Sequence, residues 1–190
     1  MPNFIHDTGV AADILKTAAR IMVVGSSGAG KSTLSRKIAD RLHVEYFSID
    51  RDVRWLANWT ARDQAAQRSI LQQIASRERW IIDGSGPSSF DIRLPRTDIV
   101  IWMRLPRLTC MLGLARRVTK YYGRVRPDMA GGCKEPLPGF DFLTYIWTFE
   151  KRHAPLFVRN FDLHGPDVPI FQIKSRAEAD RLLDLMGASH

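Results

Sequence analysis

The sequence predicts an α/β fold, a three-layer αβα sandwich in which a five-stranded parallel sheet lies between two layers of helices. Short apolar segments alternate along the chain with longer segments whose apolar residues recur at helical spacing. Residues 21–24, the first such segment, are apolar throughout and precede a glycine, which is typical of a strand buried on both faces. This alternation favours parallel strands joined by helical crossovers, with helices on both faces of the sheet.

The predicted elements account for most of the chain. Strands are predicted at residues 21–24, 45–49, 79–82, 98–103 and 168–173, and helices at residues 31–42, 60–77, 107–121, 142–151 and 177–186. The first of these helices has its apolar residues four apart on one face. We expect residues 1–20 to add a helix without a chemical role, and the glycine- and proline-rich residues 128–140 to form a loop.

Length and composition are those of an ordinary globular protein. The chain has 190 residues, of which 45% are apolar and 25% charged, so we expect a single domain with a small lid. No apolar run approaches the ~18 residues that a transmembrane helix needs, and no membrane partner is expected. The two cysteines, Cys110 and Cys133, form no CxxC pair. This argues against a disulfide framework or a zinc site and favours a reducing cytoplasm.

The net charge of +8 is concentrated in one segment. Residues 104–126 hold seven basic residues and no acidic one: Arg104, Arg107, Arg116, Arg117, Lys120, Arg124 and Arg126. Such a cluster favours a polyanionic partner, and both nucleic acid and phosphorylated small molecules stay open at this point. The alternative is a solvated basic helix face that binds no partner.

A phosphate-binding loop is the most specific signal in the chain. Residues 25–32, Gly-Ser-Ser-Gly-Ala-Gly-Lys-Ser, match the pattern G-x-x-x-x-G-K-[ST] between a predicted strand and a predicted helix. The glycines let backbone N–H groups surround phosphates, and the start of the helix adds unpaired donors and a partial positive charge. The predicted nucleotide-binding residues are Gly25, Ser26, Ser27, Gly28, Ala29, Gly30, Lys31, Ser32 and Thr33.

Two side chains of this loop have predicted roles in chemistry. The Lys31 ammonium can reach the β- and γ-phosphates, and the Ser32 hydroxyl can bind the Mg²⁺ that bridges them. We therefore expect the chain to bind ATP, or a related nucleoside triphosphate, together with Mg²⁺. The loop specifies phosphate binding and leaves the reaction open.

Two carboxylates follow predicted strands at the end where ligands bind. Asp50 closes the second strand and Asp83 the third, and in an open parallel sheet both positions face the ligand cleft. We predict that Asp83 supports the metal together with Ser32, and that Asp50 positions an acceptor hydroxyl or takes its proton. Asp52 is the alternative to Asp50, and a cap or turn role is the alternative for both carboxylates. Asp98 lies at the opposite end of its strand and is predicted to be structural.

Arginines late in the basic segment are candidates to stabilise the negative charge of a moving phosphoryl group. We predict catalytic roles for Arg116, Arg117 and Arg124, and the choice among them and Arg126 stays open. A mobile lid at about residues 117–140, whose glycines permit motion, would carry them over the nucleotide. The alternative is a basic surface, or a helix end whose cations complement the helix dipole.

These features resemble those of the adenylate kinase-related P-loop proteins. The resemblance is closer to a bacterial group catalogued as DNA topology modulation proteins, whose pattern includes the phosphate loop, Asp50 and the run Trp-Ile-Ile-Asp-Gly at residues 80–84. The tryptophan segment of that group appears here as Trp55 and Trp59, which either pack or line an acceptor pocket. Its C-x-E loop appears as Cys-Lys-Glu at residues 133–135, for which we predict neither metal binding nor nucleophilic catalysis, since no thiol or histidine partner is near in the sequence.

The resemblance covers roughly residues 20–187. It implies a five-stranded, nucleoside monophosphate kinase-like P-loop NTPase fold, with ATP at residues 25–33 and a lid near 117–140. The chain departs from adenylate kinases at residues 83–87, which read D-G-S-G-P in place of D-G-F-P-R. The substrate-gripping arginine is therefore absent there, which puts AMP in doubt as the acceptor. Arg93 or Arg96 is the candidate replacement.

Three functions are consistent with the sequence. The leading hypothesis is ATP- and Mg²⁺-dependent phosphoryl transfer to a small-molecule acceptor, that is a nucleotide, a nucleoside or a small metabolite. The second is a nucleotide-switched P-loop ATPase that binds nucleic acid through residues 104–126. The third is a slow ATPase within a larger complex. The acceptor, the choice between ATP and GTP, and the oligomeric state are left open by the sequence.

Overall fold

The computed structural model describes residues 1–187 and contains a six-stranded sheet in which every strand pair is parallel. The strands are β1 (Phe4–Ile5), β2 (Arg20–Gly25), β3 (Tyr46–Ser48), β4 (Trp80–Asp83), β5 (Ile99–Met103) and β6 (Ile170–Ile173). Their order across the sheet is β1-β6-β5-β2-β4-β3, so β2 is an interior strand between β5 and β4. The predicted parallel sheet is confirmed.

The predicted number of five strands is wrong by one. β1 is a two-residue edge strand that pairs with β6, and the Ile170 N–H also donates to the Asn3 carbonyl oxygen at 2.8 Å. Two residues are too few to produce a periodic apolar pattern, and only a helix is expected from the sequence of residues 1–20. The edge strand forms because β6 supplies hydrogen-bond partners for its backbone, which no local signal encodes.

Eight α-helices are present in the described part of the chain. They are α1 (Thr8–Thr17), α2 (Lys31–Leu42), α3 (Gln64–Ala75), α4 (Phe90–Arg93), α5 (Arg107–Tyr121), α6 (Phe140–Arg152), α7 (Ala154–His164) and α8 (Arg176–Gly187). The bounds of α2 and α5 are the predicted ones. Helix α7 is not predicted from the sequence, because α6 and α7 meet at His153 without a loop between them.

Helix α3 is shorter than the helix predicted from the sequence at residues 60–77. Helix α3 begins at residue 64 rather than residue 60, because the Asp63 carboxylate caps it by accepting the Ala66 N–H at 2.8 Å. The residues ahead of this cap form a π-helical turn, Ile49–Arg54, and a 3-10 turn, Ala57–Trp59. A turn-rich segment therefore follows β3 at the ligand edge of the sheet.

Two apolar cores lie on opposite faces of the sheet. Along β2, Ile21 and Val23 pack into one core with α1, α2 and α8, whereas Met22 and Val24 pack into the other with α3 and α7. All four side chains are fully buried. This alternation is what a strand covered by helices on both faces requires, and it gives the predicted three-layer αβα arrangement.

Functional side chains and structural side chains lie at opposite ends of the strands. At the carboxyl ends, β2 runs into the phosphate loop and β4 ends at Asp83. At the other end, the Asp98 carboxylate accepts the Ala19 and Arg20 N–H groups and pairs with the Arg20 guanidinium at 2.7 Å. Burial opposes ionisation of Asp98, but the hydrogen bonds from Arg20 outweigh it and lower the pKa. Asp98 is therefore structural, as predicted.

Residues 122–139 connect α5 to α6, and we call them the α5–α6 loop. A bridge between Val125 and Lys134 folds this loop back on itself, and a second bridge joins Tyr122 to Glu135. The loop begins within the predicted lid, although Arg117 belongs to the helix before it. None of the helices in residues 1–187 is both long and apolar enough to cross a membrane.

Candidate active site

The phosphate loop, residues 25–32, leads from β2 into α2 and packs against α5. A Cβ added at Gly28 would lie 2.1 Å from the Cys110 carbonyl oxygen, and a Cβ added at Gly113 would lie 2.0 Å from the Gly28 carbonyl oxygen. Gly28 also has a φ of +77°, and Gly30, the N-cap of α2, has a φ of +95°. The glycines thus stand where a side chain would clash with backbone or strain the turn.

Lys31 and Ser32 begin α2 and face the inside of the loop. The Lys31 ammonium donates to the Ser26 carbonyl oxygen at 2.9 Å, so this cation lies across the loop. The Ser32 hydroxyl donates to the Asp128 carboxylate at 3.1 Å. Because Asp128 belongs to the α5–α6 loop, that loop reaches the phosphate loop directly. Thr33, by contrast, is exposed in the first turn of α2.

Asp83, the last residue of β4, is buried beside these groups. Only 4% of its surface is exposed, the Tyr46 hydroxyl donates to Oδ2 at 3.2 Å, and Oδ1 has no hydrogen-bond partner within residues 1–187. Burial raises the pKa of Asp83, whereas the Lys31 ammonium and the Ser32 hydroxyl oppose the rise. A buried carboxylate with an unpartnered oxygen is costly by itself, and a bound cation would relieve that cost.

Asp50, two residues after the end of β3, has a carboxylate that is exposed and free to contact a ligand. It is exposed in the π-helical turn, and its charge adds to the burial that raises the pKa of Tyr145 in α6 to about 12. Asp52 is occupied instead, since it accepts the Ser48 N–H at 2.8 Å and pairs with Arg51 at 2.7 Å. Of these two neighbours, Asp50 is the one that can meet an acceptor.

The three predicted arginines have different surroundings. The Arg117 Nη1 donates to the Ser27 hydroxyl at 3.0 Å, which places its guanidinium at the phosphate loop. The side chains of Arg116 and Arg124 are exposed, and neither side chain makes a hydrogen bond or an ion pair within the described part of the chain. The structure therefore brings together Lys31, Asp83 and Arg117 and leaves the other two arginines outside.

Glu135, the last residue of the C-x-E motif, pairs with two arginines beside the phosphate loop, a contact that the sequence does not predict. Its side chain is 2% exposed, its Oε1 accepts from the Arg117 Nε at 2.9 Å, and its Oε2 lies 2.7 Å from the Arg126 Nε in an ion pair. The Arg126 Nη1 in turn donates to Asp128 at 3.2 Å. These side chains form a continuous series of polar contacts between two residues of the phosphate loop. The series runs from Ser27 through Arg117, Glu135, Arg126 and Asp128 to Ser32.

The basic segment does not form one continuous cationic surface. Arg104 pairs with Glu150, and Arg117 and Arg126 both pair with Glu135. At least three of the seven basic side chains are therefore engaged with carboxylates of the same chain. This pairing gives no support to the hypothesis that residues 104–126 bind nucleic acid.

The α5–α6 loop also packs on the segment that follows Asp50. The Trp59 indole N–H donates to the Lys134 carbonyl oxygen at 3.0 Å, and the Cys133 thiol donates to the Leu56 carbonyl oxygen at 3.2 Å. The ring centroids of Trp59 and Trp55 lie 5.4 Å apart in an edge-to-face pair. The tryptophans thus pack against each other, and Trp59 packs on the loop, which agrees with the packing alternative.

Neither candidate replacement for the missing adenylate kinase arginine faces the cleft. Arg93 is fully buried and donates to the carbonyl oxygens of Gly84 and Gly86 at 2.9 and 3.0 Å, so it fixes the turn after β4. Burial lowers the pKa of Arg93 to about 9. Arg96 is exposed and lines a surface cleft with Arg68. Arg93 is therefore a structural residue.

Sequence reasoning missed the acidic half of the site. Asp128 and Glu135 are the two acids of the α5–α6 loop, and Tyr46 is the first residue of β3, the last strand on one side of the sheet. A signal for the two acids exists, since they are isolated carboxylates in a segment otherwise rich in glycine and cations. Their partners follow only from how the loop folds back over α2.

The arrangement of donors fits a triphosphate with Mg²⁺. The Ser32 hydroxyl, the unpartnered oxygen of Asp83 and the Asp128 carboxylate are hard oxygen donors, which Mg²⁺ prefers. Lys31 and Arg117 supply positive charge at the loop for phosphates. No group of three or more His, Cys, Asp or Glu side chains within residues 1–187 would hold a metal unaided, so phosphates and water would supply the remaining ligands.

Comparison with curated proteins finds kinases among the relatives. The chain matches no known family model. It is 54% identical over 78 residues to a shikimate kinase of Colwellia psychrerythraea, and the match covers 36% of this chain and 45% of that kinase. The chain spans about half the length of the curated shikimate kinases that it matches first.

Solved structures extend the likeness over nearly the whole chain. A shikimate kinase from Acinetobacter baumannii in complex with shikimate superposes with a TM-score of 0.55 at 18% identity and covers 92% of this chain and 96% of that one. A deoxyadenosine kinase from M. mycoides reaches a TM-score of 0.50 at 16% identity, with 88% and 96% coverage. At such identities the likeness concerns the fold alone. The chain has a P-loop NTPase fold of the nucleoside monophosphate kinase-like type, with six strands.

Proposed function

We propose that this protein is a P-loop kinase, which transfers the γ-phosphoryl group of ATP to a small hydroxyl- or phosphate-bearing acceptor. The observation that carries the proposal is the meeting of three groups at one edge of the sheet. They are the phosphate loop, the buried carboxylate of Asp83 and the available carboxylate of Asp50. The first two suit a nucleotide with its metal, and the third suits an acceptor.

The nucleotide half of the site has its charges arranged for a triphosphate. Backbone N–H groups of the phosphate loop, Lys31 and Arg117 would hold the phosphate oxygens. Mg²⁺, held by Ser32 and Asp83, would neutralise phosphate charge and orient the transferring group. Tyr46 stays protonated, because burial and the Asp83 charge raise its pKa, and its hydroxyl keeps Asp83 in place.

The acceptor half of the site is formed by Asp50 and by the α5–α6 loop. Asp50 would orient the acceptor hydroxyl and take its proton as the bond to phosphorus forms. Contacts of the loop with Leu56 and Trp59 cover the segment that follows Asp50. A covered site keeps water from the γ-phosphate, which favours transfer to the acceptor over hydrolysis.

The class of acceptor follows from the chemistry of Asp50 and from the relatives. The similar proteins are named for shikimate and for deoxyadenosine, two different molecules that both carry hydroxyl groups. An acceptor hydroxyl is also what an exposed strand-end carboxylate can position. AMP is disfavoured, because Arg93 is buried on backbone carbonyl groups and the usual arginine position is a glycine-proline turn.

We further propose that the chain belongs to the bacterial DNA topology modulation group and acts in the cytoplasm. The residues that carry that resemblance are in contact, since Trp59 donates to the backbone of Lys134 and to the Cys133 sulfur. Both cysteines are buried and free, which suits a reducing compartment.

A coupled assay for ADP formation tests the proposal. Purified protein with Mg²⁺ and ATP is incubated with nucleosides, nucleotides and small hydroxylated metabolites, and ADP is measured with each and without any. We expect one class of hydroxyl-bearing molecule to raise ADP formation well above the acceptor-free rate, and Lys31→Ala to abolish the increase. ADP formation that never depends on an acceptor would instead identify an ATPase.

A further inference from the structure

We infer that Glu135 is a positioning residue, which holds Arg117 with its terminal nitrogen at the phosphate loop and Arg126 with its terminal nitrogen at Asp128, the partner of Ser32. The inference rests on the proposed function, because it assigns these arginines to the phosphates of a bound nucleotide. Glu135 itself would touch neither nucleotide nor acceptor. Its effect would be on the orientation of Arg117 and Arg126, whose side chains would contact the nucleotide.

The geometry of the two ion pairs supports this role. A guanidinium is a rigid plane whose donors point in fixed directions. Glu135 contacts the Nε side of both arginines, at 2.9 Å for Arg117 and 2.7 Å for Arg126. The Nη1 atoms point elsewhere, to Ser27 in the phosphate loop and to Asp128. One carboxylate thus contacts both guanidinium groups, and the Arg117 Nη1 stays at the phosphate loop, where a phosphate oxygen could replace the Ser27 hydroxyl.

The electrostatics of the pair make Glu135 necessary for this geometry. Burial and the nearby Arg126 charge lower the pKa of Arg117, so the two cations oppose each other in a desolvated place. The buried carboxylate between them offsets that repulsion. A neutral side chain of the same shape would leave the two cations facing each other, and they would separate.

The backbone around Glu135 fixes where its carboxylate lies. The Glu135 N–H donates to the Arg124 carbonyl oxygen at 2.8 Å, and the Gly123 N–H donates to the Glu135 carbonyl oxygen at 3.0 Å. The residue is therefore tied to the chain just after α5, although 18 residues of sequence separate it from Arg117. Its side chain is held between helix and loop.

Calorimetric titration with the β,γ-imido analogue of ATP and Mg²⁺ tests the inference. The variants are Glu135→Gln, Arg117→Ala, their double mutant and Glu45→Gln. Glu45 is a matched control, because it pairs with Arg77 at an exposed site before β3. We expect Glu135→Gln to weaken binding about tenfold, since a charged hydrogen bond to Arg117 and an ion pair with Arg126 are lost, and Glu45→Gln to change it less than about twofold.

The double mutant separates positioning from a general structural role. If Glu135 acts through Arg117 and Arg126, the loss of affinity in the double mutant is smaller than the sum of the two single losses, because only the positioning of Arg126 is left for the second change to remove. Additive losses, or an affinity of Glu135→Gln equal to that of the wild type, would overturn the inference. If Glu135→Gln does not fold, Glu135→Asp replaces it, since the charge is kept but the shorter side chain cannot reach both arginines. An unchanged affinity of Glu135→Asp would likewise overturn the inference.

Failure of the inference differs from failure of the proposed function. Lys31→Ala is titrated in parallel, because its loss of binding depends on the phosphate loop alone. If Lys31→Ala binds the analogue as tightly as the wild type does, the proposed function fails. If Lys31→Ala loses binding and Glu135→Gln does not, only the role of Glu135 fails.

Discussion

Gly28 in the phosphate loop and Gly113 in α5 are in backbone contact: a Cβ on Gly113 would lie 2.0 Å from the Gly28 carbonyl oxygen. This contact sets the distance between the helix and the loop. Arg117 lies four residues further along α5, on the same face, and from there its guanidinium reaches the Ser27 hydroxyl. The same helix therefore shapes the loop and delivers a cation to it.

Replacing Gly113 by Ala is expected to displace the phosphate loop. The added methyl group would overlap the Gly28 carbonyl oxygen, so we expect a loss of about 1–3 kcal/mol in the free energy of unfolding. Affinity for Mg²⁺ and ATP should fall about tenfold or more, because misplaced donors bind poorly. Urea unfolding and calorimetric titration measure the two effects. Leu112→Ala, at an exposed position of α5, is the control, and a wild-type affinity for Gly113→Ala would contradict the packing argument.

Neighbouring arginines on α5 should respond differently to substitution. Arg117→Ala removes the guanidinium at the phosphate loop, and we expect catalytic efficiency with ATP to fall about 10- to 100-fold. Arg116→Ala removes an exposed side chain of the same charge and should change efficiency less than about twofold. Steady-state kinetics with the acceptor found in the ADP assay provide the comparison. Equal losses in the two variants would mean that net charge, rather than position, matters.

The buried carboxylate of Asp83 makes stability depend on pH. Burial raises the pKa of Asp83, so the folded protein binds a proton on this carboxylate more tightly than the unfolded chain does. Stability is therefore lost as the pH rises above the ordinary carboxyl pKa of 3.8. Asp83→Asn, which cannot ionise, should melt at a higher temperature than the wild type at about pH 8, with little difference at about pH 4.

The same variant should lose function while it gains stability. Asp83→Asn removes the carboxylate proposed for the metal, so Mg²⁺ should enhance its nucleotide binding far less than it does for the wild type. Thermal melts measure the gain in stability, and nucleotide titrations with and without Mg²⁺ measure the loss of metal-dependent binding. A lower melting temperature at about pH 8 would show that ion pairing with Lys31 outweighs the cost of burial.

Asp50 and Asp52 should separate catalysis from stability. Asp50→Asn is expected to lower acceptor-dependent turnover about 100- to 10,000-fold, as loss of a general base does, while triphosphate affinity stays unchanged. Asp52→Asn removes the charge that pairs with Arg51 and replaces one of the two oxygens that accept from Ser48 and Arg51 with an NH₂ donor. It should mainly cost about 1–3 kcal/mol of unfolding free energy. Turnover that falls with Asp52→Asn and survives Asp50→Asn would reverse the assignment.

What could be predicted from the sequence is what local signals encode. The phosphate loop lies between β2 and α2 as expected, because its glycines and the helix that follows are contiguous in sequence. The bounds of α5 follow from the helical spacing of its apolar residues. Asp50 and Asp83 follow the carboxyl ends of parallel strands, which places both at the ligand edge of the sheet. Each of these depends on residues close together in the chain.

What could not be predicted depends on contacts distant in sequence. Strand β1 exists through pairing with β6, more than 160 residues away. Asp128 and Glu135 gain their contacts only when the α5–α6 loop folds back against Ser32 and Arg117, and glycine-rich loops carry little periodic signal. The choice of Arg117 over Arg116 likewise depends on which face of α5 meets the phosphate loop.

The most direct test of the account is a titration of Lys31→Ala with Mg²⁺ and the β,γ-imido analogue of ATP. The wild type should bind in a saturable way, and Lys31→Ala should bind about tenfold or more weakly, because a charged contact with the phosphates is lost. Lys37→Ala, at an exposed position of α2, should bind as the wild type does. Equal affinities for the wild type and Lys31→Ala would contradict the claim that residues 25–32 hold a triphosphate.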